Sequence, residues 1–223
     1  MTIAQQLGVL AVAAYVLGSV PFGLVVGRMK GIDPRKAGSG NIGATNVGRL
    51  LGGRYFAVVF TLDLLKGAIP MLIAANRVSG LADRDKPYLL WMLIGAAAIA
   101  GHMASMFIKF KGGKGVATSA GVVLGLFPFY TLPGIGAIAV FGLAFAISRT
   151  VSIGSIAAAL SFAPLYLIVG KIMNWPVFDE QLPLLIFGIV VGLMIVWKHR
   201  ANIRRLIAGE EHSFRKTSQA SDD

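Results

Sequence analysis

The chain has 223 residues, of which 56% are hydrophobic and only 14% charged, and its mean hydropathy is +0.73. This is the composition of a membrane protein, with no room left for a soluble domain. The 21 lysines and arginines against 10 acidic residues give a net charge of +11, so long-range electrostatics favours an anionic partner: nucleic acid, a phosphorylated metabolite or an acidic lipid surface. Zero cysteines excludes disulfide scaffolds, thiolate nucleophiles and Cys-ligated metal centres, and three histidines with few carboxylates leave little material for a metal cage.

A hydrocarbon core roughly 30 Å thick needs about 20 apolar residues of helix, because a helix leaves no backbone group unpaired in lipid. The runs that qualify follow in chain order. Met1 to Gly27 carries no charge, Tyr55 to Asn76 carries only Asp63 and Lys66, and Pro87 to Ile108 carries none. Gly115 to Ser148, Thr150 to Gly170 and Gln181 to Trp197 are also uncharged. The run from Gly115 is too long for one straight span and is interrupted by Pro128 and Pro133, so it reads as two helices joined by a tight turn. The first run lacks a basic leader and exceeds the usual length of a signal-peptide core, so it reads as a retained helix.

The expectation is therefore an all-α polytopic membrane protein with seven transmembrane helices. Placing the N-terminus outside and the C-terminus in the cytoplasm puts 16 of the 21 cations inside: Arg28, Lys30, Arg35, Lys36, Arg49, Arg54, Lys109, Lys111, Lys114, Arg149, Lys198, Arg200, Arg204, Arg205, Arg215 and Lys216. Six spans would divide the Lys109–Lys114 loop from the basic C-terminal segment. Residues 1–209 read as one seven-helix domain with a cytoplasm-facing active site, and 210–223 as a disordered polar tail.

Candidate chemistry lies in the loops. The first inside loop packs Gly38, Ser39, Gly40, Asn41, Gly43, Thr45 and Asn46 between Lys36 and Arg49. Small residues let backbone approach a ligand, amide N–H groups and short polar side chains donate to an anion, and the flanking cations add charge. The string also spells the G-x-G-x-x-G of a dinucleotide site, but membrane helices flank it and no βαβ unit can form. A flexible linker is the bland alternative. The second inside loop sets Lys109, Lys111 and Lys114 among Gly112, Gly113 and Gly115 at a helix start, which favours an anion through charge and helix dipole, or serves only to set topology. Arg149, Ser152 and Ser155 open the sixth helix, and Lys198, His199, Arg200 and Asn202 close the seventh. Within the spans, Asp63 and Lys66 share a helix face and His102 lies near the inside surface; such residues are functional candidates or buried pairs that hold helices in register.

Several of these strings have a family look: Gly18-Ser19-Val20-Pro21-Phe22-Gly23, Gly38 through Asn46 with Arg49, Asp63-Leu64-Leu65-Lys66-Gly67, Gly101-His102, and Phe110 through Thr118. With Arg149 and Ser152, and His199 and Asn202, they resemble the bacterial membrane acyl-phosphate:glycerol-3-phosphate acyltransferases from residue 8 to about 210. The resemblance implies an enzyme of the bacterial cytoplasmic (inner) membrane. Such an enzyme moves a fatty acyl group from acyl phosphate to the 1-hydroxyl of glycerol 3-phosphate, releasing lysophosphatidic acid and inorganic phosphate, with no metal, cofactor or nucleic acid. It implies that Ser39, Asn41 and Thr45 hold a phosphate and that Arg49, Lys114, Ser152, His199 and Asn202 line the substrate pocket, with Ser39, Arg49, Lys114 and His199 closest to the chemistry. Gly38, Gly40, Asn46, His102, Lys111 and Gly113 complete the expected binding set. A mixed anhydride is already activated, so positioning and oxyanion stabilisation suffice, and the departing phosphate can take the hydroxyl proton in place of His102 or His199. A transporter of a phosphorylated solute remains the rival; a metal-dependent lipid synthase would need an Asp cluster, and Asp63 stands alone.

Overall fold

The computed structural model describes residues 2–78, 87–211 and 213; the expected Arg84–Lys86 outside loop and most of the polar tail lie outside the described residues. Among the described residues ten α-helices and one 3-10 turn occur: α1 (Ile3–Ser19), α2 (Phe22–Met29), α3 (Ala44–Leu51), α4 (Gly53–Val78), α5 (Pro87–Met103), the turn Met106–Ile108, α6 (Val116–Gly125), α7 (Thr131–Ser148), α8 (Val151–Ile172), α9 (Leu182–Lys198) and α10 (Arg200–Ile207). No strand occurs among them.

Five stretches are long and apolar enough to cross a bilayer: Gln5–Met29, Gly53–Asn76, Leu89–Ile108, Thr131–Ser148 and Val151–Ile172. The pair α9 and α10, bent by 54° at His199, makes a sixth when taken as one span. The remaining expected span is α6, which has only ten residues and a length of about 15 Å, half a hydrocarbon core. Part of the apolar run from Gly115 is spent on the turn between Leu126 and Thr131.

Pro21 divides the first span into α1 and α2 and removes a backbone donor, so carbonyls at the end of α1 lose their helical partners. Side chains from elsewhere replace them. Ser105 Oγ donates to the Ser19 carbonyl at 2.5 Å, and Lys66 Nζ donates to the Val20 carbonyl at 3.0 Å. The ammonium of Lys66 is in turn neutralised by Asp63 Oδ1 at 2.8 Å, one helical turn before it on α4. The buried pair thus secures a break in the first span.

Two sub-bundles result. In one, α1 lies along α5 and α4, and α4 also carries α3 and α6; in the other, α7 packs on α8 and α8 on α9. Lipid gives helices no hydrophobic reason to associate, so close approach through small residues matters. At the α1–α5 crossing, a methyl group on Gly101 would collide with the Tyr15 carbonyl, and one on Gly18 with the Ala98 carbonyl. Gly101→Ala should therefore push the two helices apart and lower stability by about 1–3 kcal/mol. The check is a fall in the thermal unfolding midpoint in detergent, where an unchanged midpoint would contradict the packing.

Candidate active site

The loop from Pro34 to Gly43 is held by one side chain. Asn46, 2% exposed on the first turn of α3, accepts from the Ser39 N–H at 2.8 Å. Its Nδ2 donates to the carbonyls of Pro34, Ala37 and Asn41 at 2.9, 3.1 and 2.8 Å. Asn41 Oδ1 accepts from the Gly43 N–H at 2.8 Å, closing an Asx turn that starts α3. Gly38 and Gly40 take φ of +57° and +70°, a region costly for other residues, and a side chain on Gly38 would strike Asn46 Oδ1. The result is a rigid concave turn.

That turn forms one wall of a pocket of about 100 Å³. Four helices begin around it: α3 at Gly43–Asn46, α6 at Gly115–Ala117, α8 at Val151–Ser152, and α10 with His199 and Asn202. None of the four N-termini is capped by a side-chain hydrogen bond. The leading amides of a helix carry partial positive charge and want an acceptor, so four such ends at one place favour an anion strongly. Arg49 and Lys114 add full charges to the same wall.

Neighbours tune these groups. Lys114 Nζ donates to Asn202 Oδ1 at 2.5 Å, and burial, together with the charges of Arg205 and Arg49, brings its pKa down to about 8 despite the opposing pull of Glu211. His199 sits at the bend between α9 and α10 with Nδ1 against the Ile195 carbonyl at 2.8 Å, which leaves Nε2 to accept. Burial and the Lys114 charge lower its pKa to about 4, so the ring is neutral at pH 7. Glu211 Oε1 accepts from Ser152 Oγ at 3.0 Å and Asn202 Nδ2 at 2.6 Å, and Oε2 pairs with Arg205 Nε at 2.7 Å. Burial pushes its pKa up, but the donors outweigh it and hold the carboxyl below its ordinary value.

Of the residues expected from the sequence, Ser39, Asn41, Thr45, Asn46, Arg49, His102, Lys114, Ser152, His199 and Asn202 all line this pocket. Asn46 does so with its polar atoms engaged by the loop backbone, so it shapes the cradle. Gly38 and Gly40 are exposed parts of the loop frame outside the lining, and Lys111 is exposed and turned away. Gly113 is buried behind the wall, its N–H donating to the His102 carbonyl at 3.0 Å, and any side chain there would hit His102 Nε2. His102 itself lies with Nδ1 3.7 Å from Asp63 Oδ1, beyond hydrogen-bond reach. Glu211 was not foreseen, since its segment reads as polar tail; its only signal is a carboxylate six residues after Arg205. Among the described residues no group of three His, Asp or Glu is placed to hold a metal ion.

The polar pocket shares Phe56, Phe60, Val116, Phe141 and Ser155 with a second, apolar cavity of about 450 Å³ that runs between the two sub-bundles. Fold and site together define a multi-pass membrane protein with a cationic, amide-rich pocket that opens into an apolar cavity. A family model described as glycerol-3-phosphate acyltransferase matches residues 8–209. Glycerol-3-phosphate acyltransferases of Aquifex aeolicus and Synechococcus elongatus are each 44% identical to the chain, over 92% and 91% of it and 97% and 91% of their own lengths. The crystal structure of PlsY, an integral membrane glycerol 3-phosphate acyltransferase, in its glycerol 3-phosphate form superposes with a TM-score of 0.79 at 40% identity, covering 94% of this chain and 96% of that one. Its lysophosphatidic acid form gives 0.76. The chain belongs to the glycerol-3-phosphate acyltransferase family. It is an acyltransferase that acts on glycerol 3-phosphate.

Glu211 ties α8 to α10, so its loss leaves Arg205, Lys114 and Arg49 without their nearby anion. Glu211→Ala should cost about 1.5–3 kcal/mol of stability, the range for hydrogen bonds to a charged group. Calorimetry in detergent reads this as a lowered unfolding midpoint, with Glu211→Gln intermediate because it keeps part of the hydrogen bonding.

Proposed function

We propose that the enzyme transfers a fatty acyl group from acyl phosphate to the 1-hydroxyl of sn-glycerol 3-phosphate, giving lysophosphatidic acid and inorganic phosphate, the first step of phospholipid synthesis. The observation that carries this reading is the convergence of four uncapped helix N-termini with Arg49 and Lys114 on a pocket that opens into an apolar cavity. Both substrates are anions, and one carries a long apolar chain. A cationic pocket offsets their mutual repulsion, while the chain stays among the helices. The crystal forms of PlsY with glycerol 3-phosphate and with lysophosphatidic acid support the acceptor and the product.

In this reading Ser39, Asn41 and Thr45, with the first amides of α3, hold one phosphate, and Lys114 and Arg49 hold and neutralise the other. Ser152, Asn202 and His199 orient the acceptor. The 1-hydroxyl oxygen forms a bond to the acyl carbon, the bond from that carbon to the phosphate oxygen breaks, and phosphate leaves carrying the hydroxyl proton. The leaving phosphate serves as base, and His199, its Nδ1 held by the Ile195 carbonyl, orients the hydroxyl through Nε2. Most of the acceleration then comes from placement and from amides that meet the developing oxyanion.

The same reading has the chain cross a bacterial inner membrane seven times, N-terminus outside and pocket facing the cytoplasm. Two observations support it. By sequence, a seven-span path with this orientation assigns 16 of the 21 cations to the inside. And although α6 is short, the turn after it extends the hairpin: the Phe129 ring meets Trp175, in the loop between α8 and α9, edge-on at 5.3 Å.

Purified enzyme given palmitoyl phosphate should release inorganic phosphate only when glycerol 3-phosphate is present, and EDTA should not slow it. Transfer from acyl-CoA with inert acyl phosphate would overturn the donor. A second expectation concerns pH. Lys114 is charged below about 8 and loses its proton above that value, so kcat/KM for glycerol 3-phosphate should fall as pH passes through 8. Lys114→Arg, which stays charged, should abolish that fall; Lys114→Ala should raise KM by about 10- to 100-fold at pH 7, the worth of a hydrogen bond to a charged group.

A further inference from the structure

The end of the apolar cavity away from the polar pocket is lined by aromatic rings tied in place. Tyr130, 3% exposed in the turn between α6 and α7, donates its phenolic hydrogen to the Leu184 carbonyl on α9. Phe162 of α8 stands edge-on to its ring at 4.9 Å, and Phe187 of α9 stacks on it at 6.2 Å. Gly188 lets these rings close together, since a Cβ there would come within 2.9 Å of Phe162 and 3.5 Å of the Tyr130 oxygen. Behind them Tyr166 is fully buried and donates to Gln181 Oε1 at 2.9 Å, so the floor rests on solid core.

Distances along the helices give the depth of the groove. Ser152 lines the polar pocket and Phe162 the far end of the apolar cavity, ten residues apart on one helix, or about 15 Å. The occupant follows from continuity with the anion pocket: a chain whose head is held at the helix N-termini has this groove as its apolar path. One methylene too many against a closed hydrophobic wall is discriminated by about 10-fold or more.

We propose that Phe162, backed by Tyr130 and Phe187, is the specificity-determining floor of the acyl groove and sets the upper length of the acyl chain the enzyme transfers. The groove takes a saturated acyl chain that ends at Phe162. A longer one must bend or leave sideways between α6 and α7, where Leu124 and Ile138 face the lipid. This rests on the acyl-transfer reading above.

The test measures kcat/KM for lauroyl, palmitoyl, stearoyl and eicosanoyl phosphate, compared as ratios within each protein so that a general loss of activity cancels. Wild type should drop by about tenfold or more somewhere in the series. Phe162→Ala lowers the floor and should move that drop to a longer chain. Ala158→Phe, about one turn nearer the polar pocket, raises the floor by about 6 Å and should move it to a shorter one. Opposite shifts in the two variants support the ruler, and either variant that folds suffices to read it. A flat wild-type profile, or variants that lower all lengths equally, would overturn it, because the chain then leaves sideways. If acyl phosphates are inert but acyl-CoA esters react, the donor assignment fails and the same ratios are read on the thioesters.

Discussion

Hydrocarbon offers no hydrogen-bond partner, and the architecture follows from where each helix end finds one. The carbonyls freed where Pro21 breaks the first span are taken by Ser105 and Lys66. The opposite problem, unmatched amides, is left unsolved by side chains at the starts of α3, α6, α8 and α10. These four ends meet at one pocket, where Arg49 and Lys114 reinforce their charge. There the leading amides and the two cations together offer several donors to one anion. Glu211 supplies one anion at the edge, holding α10 against α8.

The buried pair Asp63–Lys66 shows why an intramembrane charge is not by itself a catalytic signal. Desolvating two ions is expensive, and hydrophobic replacements of such pairs are often no less stable. Here the ammonium has a second task, because it joins the Phe22 N–H on the Val20 carbonyl at the break in the first span and so ties α4 to that break. Asp63 makes that cation tolerable, while its own backbone carbonyl accepts from Thr118 Oγ1 at 2.9 Å and so fixes α6 to α4. The ion pair thus secures the break in the first span, and the adjacent backbone carbonyl separately anchors α6, whose start carries Lys114.

Much of this was legible in the sequence because the signals are local. Apolar run lengths give most of the spans, and the glycines with Ser39, Asn41 and Thr45 announce a tight polar turn beside Arg49. What was not legible depends on which groups meet across the chain. Nothing in the spacing says that Asn46 turns inward onto Pro34, Ala37 and Asn41, so it looked like another substrate donor. Three lysines in one loop are equivalent as text. The chain distinguishes them by taking left-handed φ of 55° and 59° at Lys109 and Phe110, after which Lys114 enters the pocket and Lys111 stays outside. Pro128 marks the turn after α6, but composition does not give the helix its short length, since helix and turn are both apolar. Glu211 was hidden because its partners, Ser152 and Asn202, come from two other helices.

The two sub-bundles meet along a seam that is stitched at both ends and open between. At the polar end Lys114 reaches Asn202, and Lys198 donates to the Met103 carbonyl at 3.0 Å, joining α9 to α5. At the far end the Tyr130 hydroxyl joins the α6–α7 turn to α9. Between these stitches the facing positions are small or apolar, among them Ala120, Gly134, Ala137, Ala158 and Gly192, so no side chain fills the gap. A seam of this kind solves the problem of an enzyme whose substrate is half lipid. In the proposed reaction the acyl chain lies along this seam, with its phosphate head at the starts of α3, α6, α8 and α10. Because the same helices α6 and α8 carry both the amides at their starts and the groove along their lengths, head and tail are positioned by one rigid frame, which fixes how far the reacting carbonyl lies from the end of the groove.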